Sequence, residues 1–279
     1  MERKIKMVGL DLDGTLLDET KTLRPYTRKV LEEAISRGVV VLVATGRPWL
    51  GIPEELREFP GMDYALTSNG ARILDVKNDR ILEEHLLMPE EGKKALEVCA
   101  KYDTLKEIYF GGQGYADEDK LARAEDYHRN PHMCDYIRKT RIPEKDLMGL
   151  LERENRGMDK VQALFANLEE RQAAWEEMEK IPGLVLVGSL GYNIEVNAEG
   201  VNKGAGLVAL GKILGIEREE IMACGDGDND IAMLREVGFG VAMGNADEAV
   251  KAAADYVTED NEAEGAAKAI ERFVLKRGV

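Results

Sequence analysis

The stretch Gly9–Asp18, "GLDLDGTLLD", decides how this chain is read. An apolar run, Met7-Val8-Gly9-Leu10, leads straight into Asp11 and Asp13. Side chains two apart in an extended segment fall on the same side, so both carboxylates point one way. Like charges this close repel, and burial at a strand end is costly unless one acid takes a proton or a cation intervenes. Gly14 then permits a tight turn. Either acid alone would read as a turn former; the pair calls for a partner elsewhere in the chain.

The surrounding pattern is that of a parallel sheet. Lys6–Leu10 reads as a strand and Pro25–Arg37 as a helix stopped by Gly38. Val39–Ala44, "VVVLVA", is a β-branched run suited to a strand buried on both faces. A short helix around Ile52–Phe59 and a strand at Tyr64–Thr67 complete a β-α-β-α-β rhythm, which implies right-handed crossovers. "ARILDVKNDRILEEHLL" then reads as a hairpin turning at Lys77-Asn78-Asp79. From about Pro89 to Gly188 amphipathic helices mix with strands over roughly 100 residues, enough for a separate domain. The β-α rhythm resumes with a strand at Tyr192–Asn197, a helix at Lys203–Leu214, "IMACG", a helix at Asp230–Val237 and "FGVAM". The fold expected is α/β: a Rossmann-like parallel-sheet core of residues 1–86 and 189–279, with an inserted α/β domain of residues 87–188.

Bulk properties narrow the function. The chain has 279 residues, room for a large core, and a net charge of −15, which disfavours nucleic acid and anionic membranes as partners. An anionic substrate would need a local source of positive charge. Cys99, Cys134 and Cys224 show no paired spacing, which points to a reducing compartment. No apolar run approaches the roughly 20 residues of a membrane span. "MERKIKMVGLDLDG" lacks the apolar segment of a signal peptide, so a cytoplasmic protein is expected.

Ligands of open parallel sheets bind beyond the carboxyl ends of the strands. There the sequence places Asp11 and Asp13; Thr45, Gly46 and Arg47; Ser68, Asn69 and Gly70; and Asp226, Asp228, Asn229 and Asp230. Lys203 opens a nearby helix. Two acid clusters at the ends of buried strands suit Mg²⁺, which takes oxygen ligands and keeps waters. "GDGDND" spaces its acids like an EF-hand, but Ile231 and Val237 stand where that loop needs Gly and Glu. Asn229 or Asp230 is also placed to cap the helix that follows. "GLVALGKI" fails as a P-loop, because Ile213 replaces the hydroxyl residue and the stretch reads as helix interior. "GGQG" reads as a loop. His128, His132 and Cys134 read as surface loop, with Pro131 spoiling helical spacing for a metal site.

Taken in order, "DLDGTLLD", "VATGRP", "SNGA", "VNKG" and "GDGDNDIAML" resemble the haloacid dehalogenase-like phosphohydrolases. The insert, and the tail "GVAMGNADEAVKAAADYVTEDNEAEGAAKAI", resemble the Cof-type subfamily with a type IIB α/β cap. The resemblance covers essentially the whole chain. It implies that Asp11 is a nucleophile forming an aspartyl-phosphate, and that Asp13 is general acid and then general base. It implies Mg²⁺ held by the Asp11 carboxylate, the Asp13 carbonyl and Asp226, with Asp230 supporting the metal's waters or Lys203. Thr45 and the Gly46 amide would hold phosphoryl oxygens beside Lys203, Asn229 would orient the phosphate, and Arg47 would reach substrate. Asp228 is given no role.

The activity so implied is a Mg²⁺-dependent phosphatase for small phosphorylated metabolites, sugar phosphates or phosphorylated cofactors, acting as a monomer or weak homodimer. The insert would close over the sheet edge and select the leaving group. Two alternatives stay open. A phosphomutase would return phosphate to substrate by the same chemistry. A phospho-accepting signalling or binding module would keep a long-lived phospho-form, which Asp13 argues against.

Overall fold

The Met7–Leu10 strand runs parallel to both its neighbours, Ile221–Gly225 on one side and Val40–Ala44 on the other. All four of its residues are buried, as are four of the five in Val40–Ala44, which accounts for their unbroken apolar sequences. From Val40–Ala44 the sheet continues to Tyr64–Thr67 in parallel, then through the antiparallel hairpin Arg72–Asp75 and Arg80–Glu84. In the other direction it continues through Phe239–Ala242 to a two-residue edge strand, Tyr256–Val257. The direction of strand succession thus reverses between Met7–Leu10 and Ile221–Gly225, the switch point at which such sheets bind ligands. This computed structural model describes residues 4–277.

The helices fix that edge in place. Pro25–Ser36 begins with proline, whose missing N–H costs nothing in a first turn, and packs along Gly265–Phe273. Lys203–Leu214 starts at Asn202, whose side chain accepts from the Ala205 N–H at 2.8 Å. It buries Leu207 and Leu210 with Met233 against Met7, Leu42 and Leu66 of the sheet. Removing one such side chain, as in Leu207→Ala, costs about 2–5 kcal/mol. The P-loop-like stretch lies inside this helix, as its periodicity implied. Among the described residues no helix is long and apolar enough to cross a membrane.

The strands and helices from His85 to Val201, with Arg47–Ile52, make a second unit. Its six-stranded sheet runs Leu184–Val187, Asn193–Ala198, Lys160–Phe165, Thr104–Phe110, Gln113–Asp117, Arg141–Glu144, and only the last pair is parallel. The helices Pro89–Cys99, Leu147–Glu154 and Leu168–Met178 supply its main apolar core.

Two expectations are corrected here. The sequence places the strand Tyr192–Asn197 with the parallel sheet; instead Asn193–Ala198 pairs antiparallel with Lys160–Phe165 and Leu184–Val187. Its Ile194 and Val196 complete the second unit's core. His128 and Cys134 are not on a surface loop. Pro131 is the first residue of a helix, Pro131–Thr140, capped by Asn130, and both residues are buried. Tyr192 Oη lies 3.0 Å from His128 Nδ1, and Cys134 Sγ donates to the His128 carbonyl at 3.4 Å. This is a packed polar core contact.

Candidate active site

Asp11 and Asp226 each follow directly on one of the two strands at the switch point. Lys203, fixed at the first turn of its helix and fully buried, reaches between the acids. Its Nζ donates to Asp11 Oδ1 at 2.6 Å and to Asp230 Oδ1 at 2.7 Å. The second oxygen of Asp230 accepts the backbone N–H groups of Asp226 and Gly227, both at 3.0 Å. Asp230 does stand at the N-cap of Ile231–Glu236, but its side chain makes no cap bond to that helix. The carboxylate is turned to Lys203 and to the loop behind it, which replaces the capping role expected from sequence.

Carboxylate oxygens of Asp11, Asp226 and Asp230 all lie within 4.8 Å of one another. Three acids, Asp11 and Asp230 buried and Asp226 half-buried, stand against the one Lys203 ammonium and leave an excess of negative charge. Burial drives the Asp11 carboxyl up to about 7, with Lys203 opposing and Asp230 adding to the rise. Burial likewise raises Asp226 to about 8, helped by the charges of Asp11 and Asp230 and opposed by a Thr15 hydrogen bond. For Lys203, burial disfavours the charged form, but Asp11 and Asp230 outweigh it and hold the ammonium above its ordinary range. The donor set is hard oxygen throughout, the kind Mg²⁺ prefers. Acids so close together favour a proton or a cation between them.

Gly14 is tied to this arrangement. Its φ is +85°, and a Cβ there would overlap the Asp226 carboxylate, so the turn after Asp13 and the distant acid fit only without a side chain.

The remaining residues singled out in sequence fall as follows. The Asp13 carboxylate is outside the group of three acids and pairs with Lys21 at 2.9 Å. Thr45 is buried at the end of Val40–Ala44, and its N–H donates to the Leu66 carbonyl at 2.9 Å; Gly46 follows it. Asn229 lies in the turn Asp228–Asp230 and its Nδ2 donates to Asn69 Oδ1 at 3.1 Å. Arg47 groups with the second unit, where its guanidinium donates to the Gly51 carbonyl at 2.9 Å and stacks over the Tyr136 ring.

Four contributors were not assigned roles from sequence. Thr15 Oγ1 donates to Asp226 Oδ1 at 2.7 Å. Asn245 Nδ2 donates to the Gly14 carbonyl at 2.9 Å and approaches Asp226 Oδ2 at 3.3 Å. Lys21 and Asn69 are the partners just named. Thr15 and Asn69 sit inside stretches already recognised as strand ends; nothing local marks Lys21 or Asn245.

Comparison with known proteins extends the geometry. The family model for haloacid dehalogenase-like hydrolases matches residues 8–270. A 5-amino-6-(5-phospho-D-ribitylamino)uracil phosphatase of Bacillus subtilis is 32% identical over 271 residues, 97% of this chain and 96% of the relative. A phosphoglycolate phosphatase of Methanosarcina acetivorans is 28% identical, covering 96% of each chain. Among solved structures, a subclass IIB sugar phosphatase of the same superfamily superposes with a TM-score of 0.82 at 27% identity, over 96% of this chain and 98% of the other. The matched span takes in the sheet, the insert and both acid clusters, and it settles descent: the chain belongs to the haloacid dehalogenase-like hydrolase family.

Proposed function

We propose that this haloacid dehalogenase-type phosphatase hydrolyses a small phosphorylated metabolite through a covalent intermediate on Asp11, with Mg²⁺ as cofactor. The observation that carries the reading is the clustering of Asp11, Asp226 and Asp230 at the switch point of the sheet, with Lys203 paired to Asp11 and Asp230. The excess acid there fits a divalent cation, held by the Asp11 and Asp226 carboxylates and the Asp13 carbonyl. When bound, Mg²⁺ supplies counter-charge to the phosphoryl group.

The chain's own residues supply the rest. An Asp11 carboxylate oxygen attacks phosphorus, and the bond from phosphorus to the leaving oxygen breaks. Asp13 gives its proton to that oxygen, and the alcohol departs. Asp13 then takes a proton from water, whose oxygen attacks phosphorus and releases Asp11 and orthophosphate. Lys203 keeps Asp11 aimed and adds positive charge for phosphoryl oxygens, with Thr45, the Gly46 amide and Asn229 as further donors. Asp230 anchors Lys203. Relatives named for a phosphorylated ribitylaminouracil and for phosphoglycolate, and a sugar phosphatase structure, support a small phosphorylated metabolite as substrate. We assign leaving-group selection to the inserted unit. Three buried, unbridged cysteines support a reducing compartment, the cytoplasm.

The test is orthophosphate release from a panel of phosphorylated metabolites with Mg²⁺. Asp11→Asn should lose about 10³-fold or more in kcat. Asp13→Asn should be impaired most with poor leaving groups, and EDTA should abolish turnover until Mg²⁺ is returned. Near-wild-type turnover by Asp11→Asn rejects the mechanism, and recovery of an isomerised substrate in place of orthophosphate identifies a mutase.

A further inference from the structure

We infer that Asn69 is a positioning residue, which fixes the Asn229 carboxamide from a strained turn that also seats Thr45 and the start of the Lys203 helix. The inference rests on the phosphatase reading above. Directly after Tyr64–Thr67, three consecutive residues adopt left-handed backbone angles: Ser68 at φ 50°, Asn69 at 62° and Gly70 at 102°. Such angles disfavour side chains, asparagine's less than most. All three residues are buried. Strain of this kind persists only where the surroundings over-determine it, and it gathers at functional sites.

The surroundings here are the phosphate-site residues themselves. The Asn69 N–H donates to the Thr45 carbonyl at 3.0 Å. Asn69 Oδ1 accepts from Asn229 Nδ2 at 3.1 Å, joining segments 160 residues apart. A Cβ on Gly70 would stand 2.5 Å from the Asn202 carbonyl oxygen and 3.6 Å from the Lys203 nitrogen, so backbone lies against backbone where that helix begins. One turn thus touches three of the groups assigned to hold phosphate. A terminal amide rotates over a broad well when nothing holds it. The bond to Asn69 uses one Asn229 N–H and orients the amide, leaving the second N–H to donate. Donors fixed in advance need no reordering as charge develops.

Asn69→Gly tests this, because glycine accepts the same backbone angle and only the carboxamide is lost. We expect kcat/KM for orthophosphate release to fall about tenfold, and orthophosphate binding with Mg²⁺, read by calorimetry, to weaken by a similar factor, without a lower Tm. Asn229→Ala should cost at least as much, and the double variant no more than Asn229→Ala alone, because Asn69 acts through Asn229. Asn69→Gly within about twofold of wild type in both measurements overturns the inference, as do losses that multiply in the double variant. Should Asn69→Gly yield no folded protein, Asn69→Ser, too short to reach Asn229, takes its place in the cycle. Failure of the phosphatase reading looks different: wild type releases no orthophosphate, or Asp11→Asn still does. The calorimetric comparison then still decides on Asn69, with unchanged binding counting against it.

Discussion

The hydroxyl of Thr15 donates to Asp226 Oδ1 at 2.7 Å, tying the first acidic turn to a residue 211 positions later. The bond opposes the upward push on the Asp226 carboxyl and fixes the oxygen's direction. Outer partners of this kind tune metal affinity about 10–100-fold. Thr15→Val keeps the shape and removes the hydroxyl. Half-saturation of activity by Mg²⁺ should move up by at least about tenfold, with kcat recovering at saturating metal. An unchanged Mg²⁺ titration would show that Thr15 only fills space.

Gly14 makes a sharper case. A side chain at φ +85° is strained, and its Cβ would strike the Asp226 carboxylate. Gly14→Ala should therefore disable the cation site through displaced geometry while every acid remains. Activity should be lost and Mg²⁺ should no longer raise Tm. Retention of the metal-dependent Tm shift would place the cation elsewhere.

Much of this arrangement was legible in the linear sequence, for physical reasons that also explain the misses. "VVVLVA" and the apolar run before Asp11 announce buried parallel strands because short, β-branched apolar runs suit strands covered on both faces. The hairpin at Arg72–Glu84 declares itself by its turn residues. The sheet that holds Asn193–Ala198 is not legible, because a strand's pattern shows that one face is buried and not which sheet it joins. Pro131 reads as a helix breaker unless it falls at the first turn, as it does behind Asn130. The acids and Lys203 stand out by type and position. The Asn69–Asn229 and Asn245–Gly14 bonds could not, since each depends on chain segments brought together only by the fold.

Lys203 bears on stability as well as on the proposed chemistry. It is fully buried between Asp11 and Asp230. Removing one partner of a buried ion pair costs about 3–5 kcal/mol, since the charges left behind are neither solvated nor paired. Lys203→Met should lower stability on that scale in denaturant titrations and abolish turnover even in the folded fraction. Mg²⁺ should recover part of the lost stability and none of the activity. A variant as stable as wild type at neutral pH would show that the buried ion pairs of Lys203 contribute nothing net to stability.

Protonation of Asp11 and Asp226 sets a pH dependence whose sign is fixed by the structure. Asp11 and Asp226 are raised to about 7 and about 8, chiefly by burial, with the charge of Asp230 adding to both, whereas unfolded carboxylates titrate near ~4. Between these values the folded chain holds protons that the unfolded chain has released. The stabilising contribution is complete below about pH 4 and is lost as pH rises through 7 and then 8. In EDTA, Tm should thus fall between about pH 5.5 and pH 8.5. In the proposed mechanism Mg²⁺ binds the deprotonated acids, so the Tm increase it produces should grow over the same interval, and binding near about pH 6 should release protons. Asp11→Asn, which removes one of the two charges, should flatten the EDTA profile. A Mg²⁺-induced Tm shift of equal size at both ends of the range would rule out the coupling between these carboxyls and the cation.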